Sequence, residues 1–181
     1  MSNDKTAHGD QHPGSPLRGH GVTMLHVREA TTADLDTINH IITESVSTWD
    51  LPERVRRLAT PSLCYRNDDL AHMTVLMLEE KDSRGGIGIA AWEEANSSES
   101  DTEARAILLH GLYLLPEYQR QGLGRTLFEL VEQRVRGEGF AAIAVRAWRE
   151  SRGFFDALGF MPANGHEDDD RYPKQMRKAI G

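Results

Sequence analysis

The sequence predicts a single domain of the mixed α/β (α+β) class, and three observations carry that prediction. Strand-like and helix-like patterns alternate only in part along the 181 residues, which is typical of a mixed sheet. Residues 106–115, AILLHGLYLL, form the most apolar run and suit a central strand. That run leads through a glycine turn into a helical pattern. A hydrophobic content of 39% is enough for the core of one domain of this length.

The first 21 residues, MSNDKTAHGDQHPGSPLRGHG, are polar and rich in Gly, Pro and His. They show no periodicity that would pack against a core, so we expect residues 1–21 to be a disordered arm and residues 22–181 to be the domain. The spacing of His8, His12 and His20 fits no standard metal site. We therefore expect no metal cofactor.

The first half of the domain has the pattern of a strand, two helices and a hairpin. Residues 22–30 form the expected first strand, and a capping box at 31–34 opens a helix. A shorter helix over 53–59 follows, and strands at 72–80 and 87–95 are expected to pair as a hairpin. The first helix repeats apolar residues at helical spacing: Leu35, Ile38, Ile41, Ile42 and Val46.

The second half begins with the apolar fourth strand, 106–115, and its glycine turn. A helix then ends near residues 137–139, a fifth strand covers 140–147, and a short helix covers 151–158. One or two strands are expected to close the chain. The helix after the turn has an apolar face made by Leu123, Leu127, Leu130, Val131 and Val135.

The stretch QRQGLGR, residues 119–125, joins the apolar strand to that helix. With no side chain at Gly122 or Gly124, successive backbone N–H groups can close on an anion such as a pyrophosphate. The positive end of the helix dipole and the side chains of Arg120 and Arg125 add positive potential. This turn is the predicted phosphate-binding element.

Two other phosphate-binding motifs fit the sequence less well. A Walker A loop requires GxxxxGK[ST], and no Lys-Ser or Lys-Thr pair follows any glycine loop of this chain. Gly86, Gly88 and Ala91 match a dinucleotide fingerprint in form, but a strand pattern continues through them. A purely structural glycine turn before a helix is the remaining alternative.

Three motifs of the chain carry a family resemblance. QRQGLG follows the stretch LYLLPEY, a second motif is SRGFFDALGF, and the chain closes with RYPKQMRKAI. With these motifs, residues 22–180 resemble the GCN5-related N-acetyltransferases (GNAT). The resemblance implies a mixed, mostly antiparallel central sheet with splayed fourth and fifth strands, flanked by about four helices. It also implies acetyl-CoA as cosubstrate and an N-acetyltransferase that acts on a primary amine by direct attack in a ternary complex.

The resemblance also implies which residues hold the cofactor. The backbone N–H groups of residues 121–126 would bind the pyrophosphate of coenzyme A, and Leu112 and Leu114 would present unpaired backbone to the pantetheine arm. An N–H group there would also stabilise the oxyanion of the tetrahedral intermediate. The full predicted set is Leu112, Leu114, Gln119, Arg120, Gln121, Gly122, Leu123, Gly124, Arg125, Thr126, Ser151 and Phe155.

His110 is the predicted catalytic base. A protonated amine has a pKa of about 10 and must lose a proton before it attacks. His110 is the one imidazole in the apolar strand, and members of the family often place a Glu or His on the corresponding part of this strand. Period-two alternation predicts that it shares a face with Leu112 and Leu114. A hydrogen-bonded core histidine is the alternative.

The second motif departs from the family pattern at three positions. Phe155 stands where a tyrosine usually protonates the departing thiolate, Ser151 replaces an alanine, and Trp148 replaces a frequent asparagine. Water or the Ser151 hydroxyl would then have to supply the proton. Phe155 also keeps a second function class open, a non-catalytic acyl-CoA-binding regulatory module.

Trp49 and Trp92 are the candidate acceptor-binding residues, and packing in the core is the alternative for each. The net charge of −7 argues against a nucleic-acid partner and would attract cations such as amines. Cys64 is the only cysteine, which excludes an internal disulfide. No histidine adjacent in sequence would activate it as a nucleophile.

We expect a cytoplasmic protein without a membrane partner. No apolar run approaches the roughly 18 residues needed to cross a bilayer, and the first residues lack the apolar core of a signal peptide. A lone cysteine fits a reducing compartment. The sequence leaves homodimerisation open.

Overall fold

The computed structural model of the chain describes residues 17–18, 24–80, 85–96, 105–163 and 173–181. Their strands form one sheet in the order β1-β2-β3-β4-β5-β6-β8-β7. Neighbouring strands are antiparallel except for the parallel pair β5 and β6. The strands are β1 Leu17–Arg18, β2 Met24–Glu29, β3 Thr74–Glu80, β4 Gly86–Glu94, β5 Ala106–Leu114, β6 Ala142–Ala147, β7 Met161–Pro162 and β8 Lys174–Ala179.

Five α-helices accompany the sheet in the described ranges. They are α1 Leu35–Ser47, α2 Glu53–Leu63, α3 Asn67–Leu70, α4 Leu123–Gly137 and α5 Arg149–Ala157. This architecture confirms the predicted GNAT-like mixed sheet with flanking helices, and the predicted fourth and fifth strands are β5 and β6. None of the helices in the described ranges is both long and apolar enough to cross a membrane.

The sheet is covered on both sides, which explains the continuous apolar runs in its central strands. One side, here called the α1 face, packs against Ile38, Ile41, Ile42 and Val46 of α1. The other side, here called the α4 face, packs against α4 and α5. Successive residues of β4 point to opposite faces, so Ala91 lies on the α1 face and Trp92 on the α4 face.

The N-terminal end of α1 is stabilised by an ion pair that was not predicted from the sequence. The predicted capping box is present, with Asp34 accepting a hydrogen bond of 2.8 Å from the Thr31 N–H group. Arg28 of β2 donates two further hydrogen bonds to Asp34, of 2.7 and 2.9 Å. These bonds from Arg28 hold the pKa of the Asp34 carboxyl well below its usual range.

β5 and β6 pair over only part of their length. Residues 106–109 are in register with 142–145, and β5 then continues to Leu114 without a strand partner on that side among the described residues. The two strands therefore separate, and the backbone of β5 faces a gap. This is the predicted splay of the fourth and fifth strands.

β5 carries one extra residue relative to β4, at the point where the splay begins. Leu109 and Gly111 pair with neighbouring residues of β4, so His110 between them has no partner in the register. This bulge interrupts the alternation of side chains. Leu109 and Leu112, three residues apart, consequently pack on the same α4 face.

Several boundaries differ from the sequence analysis. Leu17–Arg18 form β1 inside the segment expected to be a disordered arm, and the rest of residues 1–21 lies outside the described residues. α2 extends to Leu63 instead of ending at residue 59, and α5 begins at Arg149. The single turn α3 was not predicted.

Candidate active site

The start of α4 presents backbone N–H groups that have no acceptor among the described residues. Gly122 caps the helix with φ +84°, a left-handed conformation that glycine adopts without strain. The N–H group of Thr126 donates to the Gly122 carbonyl at 3.1 Å, whereas the N–H groups of Leu123, Gly124 and Arg125 have no acceptor within the described part of the chain. Together with the dipole of this 15-residue helix, they have the geometry to bind an anion.

The side chains of Gln119 and Gln121 stabilise the turn, and the backbone N–H groups are left to bind an anion. Gln119 Nε2 donates to the Leu114 carbonyl at 3.0 Å, and Gln121 Nε2 donates to the Glu117 carbonyl at 2.6 Å. Arg120 is exposed and has φ 61°, an uncommon conformation for a residue with a side chain. Of the predicted cofactor residues, these three thus hold the turn in shape or lie at its rim.

The space between the start of α4 and the gap beside β5, here called the groove, is bordered by Leu112 and Phe154. A Cβ atom added at Gly124 would lie 3.3 Å from Phe154 Cε2 and 3.7 Å from Leu112 Cδ2. Leu112 and Phe154 are partly buried, and Leu114 packs with Leu123 beneath the turn. Phe154 of α5 is therefore a wall of the groove that the sequence analysis missed.

Phe155 does not line this groove, contrary to the sequence-based assignment. Its side chain is 4% exposed and packs in the core of the α4 face. Its ring centroid lies 5.3 Å from that of Phe154 and 5.2 Å from that of Phe160. The Ser151 hydroxyl donates to the Trp148 carbonyl at 3.1 Å, a bond within the first turn of α5.

His110 forms a pair with Glu93 at the bulge. His110 Nε2 lies 3.0 Å from Glu93 Oε1, and the side chains are 29% and 37% exposed. Glu93 follows Trp92 in β4 and therefore points to the α1 face. The expectation that His110 shares a face with Leu112 is wrong. His110 meets Glu93 on the α1 face, whereas the bulge after Leu109 puts Leu112 on the α4 face.

Tyr113 places a phenol beside the same bulge. It is 6% exposed on the α1 face, and a Cβ atom at Gly111 would overlap its ring and hydroxyl. A glycine is therefore required at position 111. The hydroxyl of Tyr65 is buried and has no hydrogen-bond partner among the described residues. Burial raises the pKa of both Tyr65 and Tyr113, so both phenols are neutral at physiological pH.

The two candidate acceptor-binding tryptophans lie on opposite faces of the sheet. Trp49 is partly buried and packs against the core of the α1 face. Trp92 is 3% exposed in the core of the α4 face, with the guanidinium of Arg134 5.8 Å from its ring centroid. The structure therefore places Trp92 in the core, and the candidate acceptor site is built without it.

The chain belongs to a family of known chemistry. The sequence profile of the Acetyltransferase (GNAT) family matches residues 38–160, more than half of the 181 residues. The chain is therefore a member of the GNAT acetyltransferase family. No protein of curated function matches the chain.

Solved structures share this fold at low sequence identity. A PaiA N-acetyltransferase from Thermoplasma acidophilum in complex with coenzyme A is 19% identical, with a TM-score of 0.64 over 86% of this chain and 98% of its own. A GNAT family acetyltransferase from Brucella melitensis in complex with acetyl-CoA is 16% identical, with a TM-score of 0.58 over 87% and 88%. The ribosomal-protein-S18-alanine N-acetyltransferase from Escherichia coli is 19% identical, with a TM-score of 0.55 over 87% and 94%.

Proposed function

We propose that the protein is an acetyl-CoA-dependent N-acetyltransferase that acetylates a primary amine of a small molecule or peptide by direct attack in a ternary complex. One arrangement carries the proposal. The N–H groups of Leu123, Gly124 and Arg125 at the start of α4 have no acceptor among the described residues, β5 loses its pairing with β6 after Leu109, and the next residue, His110, pairs with Glu93. Family membership and neighbours that contain coenzyme A or acetyl-CoA support it.

A phosphopantetheine chain would lie in this groove. The N–H groups of Leu123, Gly124 and Arg125 would hold the pyrophosphate, and Leu112 and Phe154 would flank the chain beyond it. The close approach of Phe154 to Gly124 shows that any side chain at position 124 would narrow this groove. When bound, acetyl-CoA supplies the acetyl group as a thioester.

His110 and Glu93 would remove the proton of the acceptor. Because Nε2 of His110 faces Glu93, Nδ1 is the nitrogen left for the amine or an intervening water. The carboxylate fixes the orientation of the ring and stabilises the imidazolium formed by proton transfer. The partial exposure of both side chains leaves a path for the acceptor from the α1 face.

The proton for the departing thiolate does not come from Phe155, which has no hydroxyl and is buried. The Ser151 hydroxyl already donates to the Trp148 carbonyl, so water is the favoured donor. The phenylalanine at position 155, in place of a proton-donating tyrosine, is the observation that favours the second candidate function, an acyl-CoA-binding regulatory module without turnover.

Steady-state release of free CoA from acetyl-CoA across a panel of primary amines separates the two candidates. Heat-inactivated protein is the control. Amine-dependent release supports the transferase, whereas a thermal shift with acetyl-CoA but no release with any amine supports the binding module.

The remaining parts of the proposal concern setting and partners. The single free thiol, Cys64, favours a reducing and hence cytoplasmic setting. The net charge of −7 favours an amine over a nucleic acid as partner. A homodimer stays a proposal to be checked by the mass of the protein in solution.

A further inference from the structure

The side chain of Gln119 connects the glycine turn to the end of α1. Its Nε2 atom lies 3.5 Å from the hydroxyl oxygen of Ser45, and its Oε1 atom lies 3.4 Å from the hydroxyl oxygen of Thr48. Ser45 is buried in α1, and Thr48 is the residue at which that helix ends. These contacts join residues 74 and 71 positions apart. The amide of Gln121, by contrast, bonds to the Glu117 carbonyl just before the turn and to no other described residue.

The orientation of the Gln119 amide is set by the Leu114 carbonyl. Nε2 donates to that carbonyl at 3.0 Å, and the reverse orientation would place two carbonyl oxygens against each other. Nε2 therefore has one proton left for the Ser45 hydroxyl, and Oε1 faces the Thr48 hydroxyl as an acceptor. Because the Ser45 hydroxyl has no other partner among the described residues, the Gln119 amide satisfies this buried group.

The hydroxyl of Thr48 has two acceptors for its single proton. Its oxygen lies 2.8 Å from the Ser45 carbonyl and 3.4 Å from Gln119 Oε1. One O–H group donates at full strength to only one of them, so the end of α1 has two arrangements, one closed on itself and one linked to the turn. The distance of 3.4 Å is long for an O–H···O bond, and a shift of the Gln119 amide by about 0.5 Å would favour the linked arrangement.

We propose that Gln119 is a positioning residue that transmits occupancy of the cofactor site to the end of α1. An anion held by the N–H groups of residues 123–125 shifts the turn that carries Gln119. The Thr48 hydroxyl then donates to Gln119 Oε1, which fixes the backbone where α1 leads to α2. Because such coupling is reciprocal, the Thr48 hydroxyl in turn strengthens cofactor binding. This inference rests on the binding of CoA at the start of α4, a part of the proposed function.

Two pairs of variants isolate this contact. Thr48→Val and Ser47→Ala each remove a hydroxyl that donates to a carbonyl three residues earlier, at 2.8 and 2.6 Å, but only Thr48 contacts Gln119. Gln119→Leu and Gln121→Leu each remove an amide that stabilises the turn, but only Gln119 reaches α1. The Kd of CoA is measured by isothermal titration calorimetry for the wild type, for the four single variants, and for Thr48→Val combined with each glutamine variant.

Thr48→Val should weaken CoA binding by about threefold, as expected for one neutral hydrogen bond, and Ser47→Ala by less than about 1.5-fold. Thr48→Val should keep its effect in the Gln121→Leu background. It should have no effect in the Gln119→Leu background, because the partner of the hydroxyl is then missing. Equal effects of Thr48→Val and Ser47→Ala, or the same effect of Thr48→Val in both glutamine backgrounds, would overturn the inference. Should Gln119→Leu fold poorly, the comparison of Thr48→Val with Ser47→Ala decides alone.

Hydrogen exchange measured by mass spectrometry follows the same coupling at α1. Saturating CoA should slow the exchange of the backbone amides of residues 48–51 by about threefold or more in the wild type and in Gln121→Leu, and leave it unchanged in Gln119→Leu. If CoA binds the wild type but does not slow this exchange, the inference is overturned and the proposed function stands. If the wild type does not bind CoA, both are overturned.

Discussion

The close contacts of Gly124 make Gly124→Val a sharp test of the cofactor site. A Cβ atom alone would lie 3.3 Å from Phe154, so the two γ-methyl groups of valine would have to enter the groove or displace that ring. The same methyl groups would stand between an anion and the N–H groups of Leu123, Gly124 and Arg125. Gly124 has a helical conformation, so the substitution acts through the groove and not through backbone strain.

The size of the effect follows from the hydrogen bonds lost. Two charge-assisted bonds at about 1.5 kcal/mol each correspond to roughly a hundredfold weaker binding. For the wild type at a CoA concentration of about 100 times Kd, binding adds about 2.7 kcal/mol to the free energy of unfolding, or about 5–10 °C in Tm. At the same CoA concentration, binding should add only about 0.4 kcal/mol to the free energy of unfolding of Gly124→Val, or about 1 °C to its Tm.

Thermal unfolding with and without CoA measures this difference. Gly153→Val is the matched control, because Gly153 lies in α5 with nothing within 4 Å of its Cβ position. The control should keep the full CoA-dependent shift. If Gly124→Val folds, as shown by an unchanged far-UV circular dichroism spectrum, and still shows the wild-type shift, the assignment of the pyrophosphate to the start of α4 is wrong.

Three further predictions address the base, the core and the pH dependence. His110→Ala should keep the CoA-dependent Tm shift but lower turnover by roughly 10- to 1000-fold near neutral pH. The defect should be smaller at high pH, because the amine is already deprotonated there. If turnover falls by the same factor at every pH, His110 has a structural role. Phe155→Tyr should lower the free energy of unfolding by about 1–3 kcal/mol, because the tyrosine hydroxyl would be buried without a hydrogen-bond partner. A gain in turnover without loss of stability would contradict the buried position of this side chain. The hydrogen bonds from Arg28 lower the pKa of Asp34 in the folded state, so ionised Asp34 stabilises the protein above a pH of about 4, and that contribution is lost as the pH falls further. Asp34→Asn should therefore lower Tm at pH 7 and flatten its decline between about pH 4 and pH 2, and parallel curves for the two proteins would refute the role of this ion pair.

The glycine turn and the strands around it were predictable because their signals are local. Glycines between an apolar strand and a helical pattern define an anion site by backbone geometry alone, without help from distant residues. The hydrogen bonds made by the side chains of Gln119 and Gln121 could not be predicted in this way. Their partners, the carbonyls of Leu114 and Glu117, become visible only once the turn is folded.

The face of His110 could not be read from the sequence. β5 is buried on both sides, so its residues are apolar at nearly every position and a bulge leaves no trace in the pattern. Adjacent aromatics pose a similar problem in α5. Phe154 and Phe155 differ by about 100° around the helix, and only the packing of α5 decides which one faces the groove. The contact of Trp49 with Trp148 joins residues 99 positions apart, beyond any local pattern.

The most direct test of the central claim follows the acetyl group itself. The protein is incubated with isotopically labelled acetyl-CoA and a mixture of primary amines, and the products are identified by mass spectrometry. The account predicts labelled N-acetylated amine in a one-to-one ratio with free CoA, strongly reduced in His110→Ala and in Gly124→Val. Free CoA without any acetylated amine, or product formation unchanged in Gly124→Val, would contradict it.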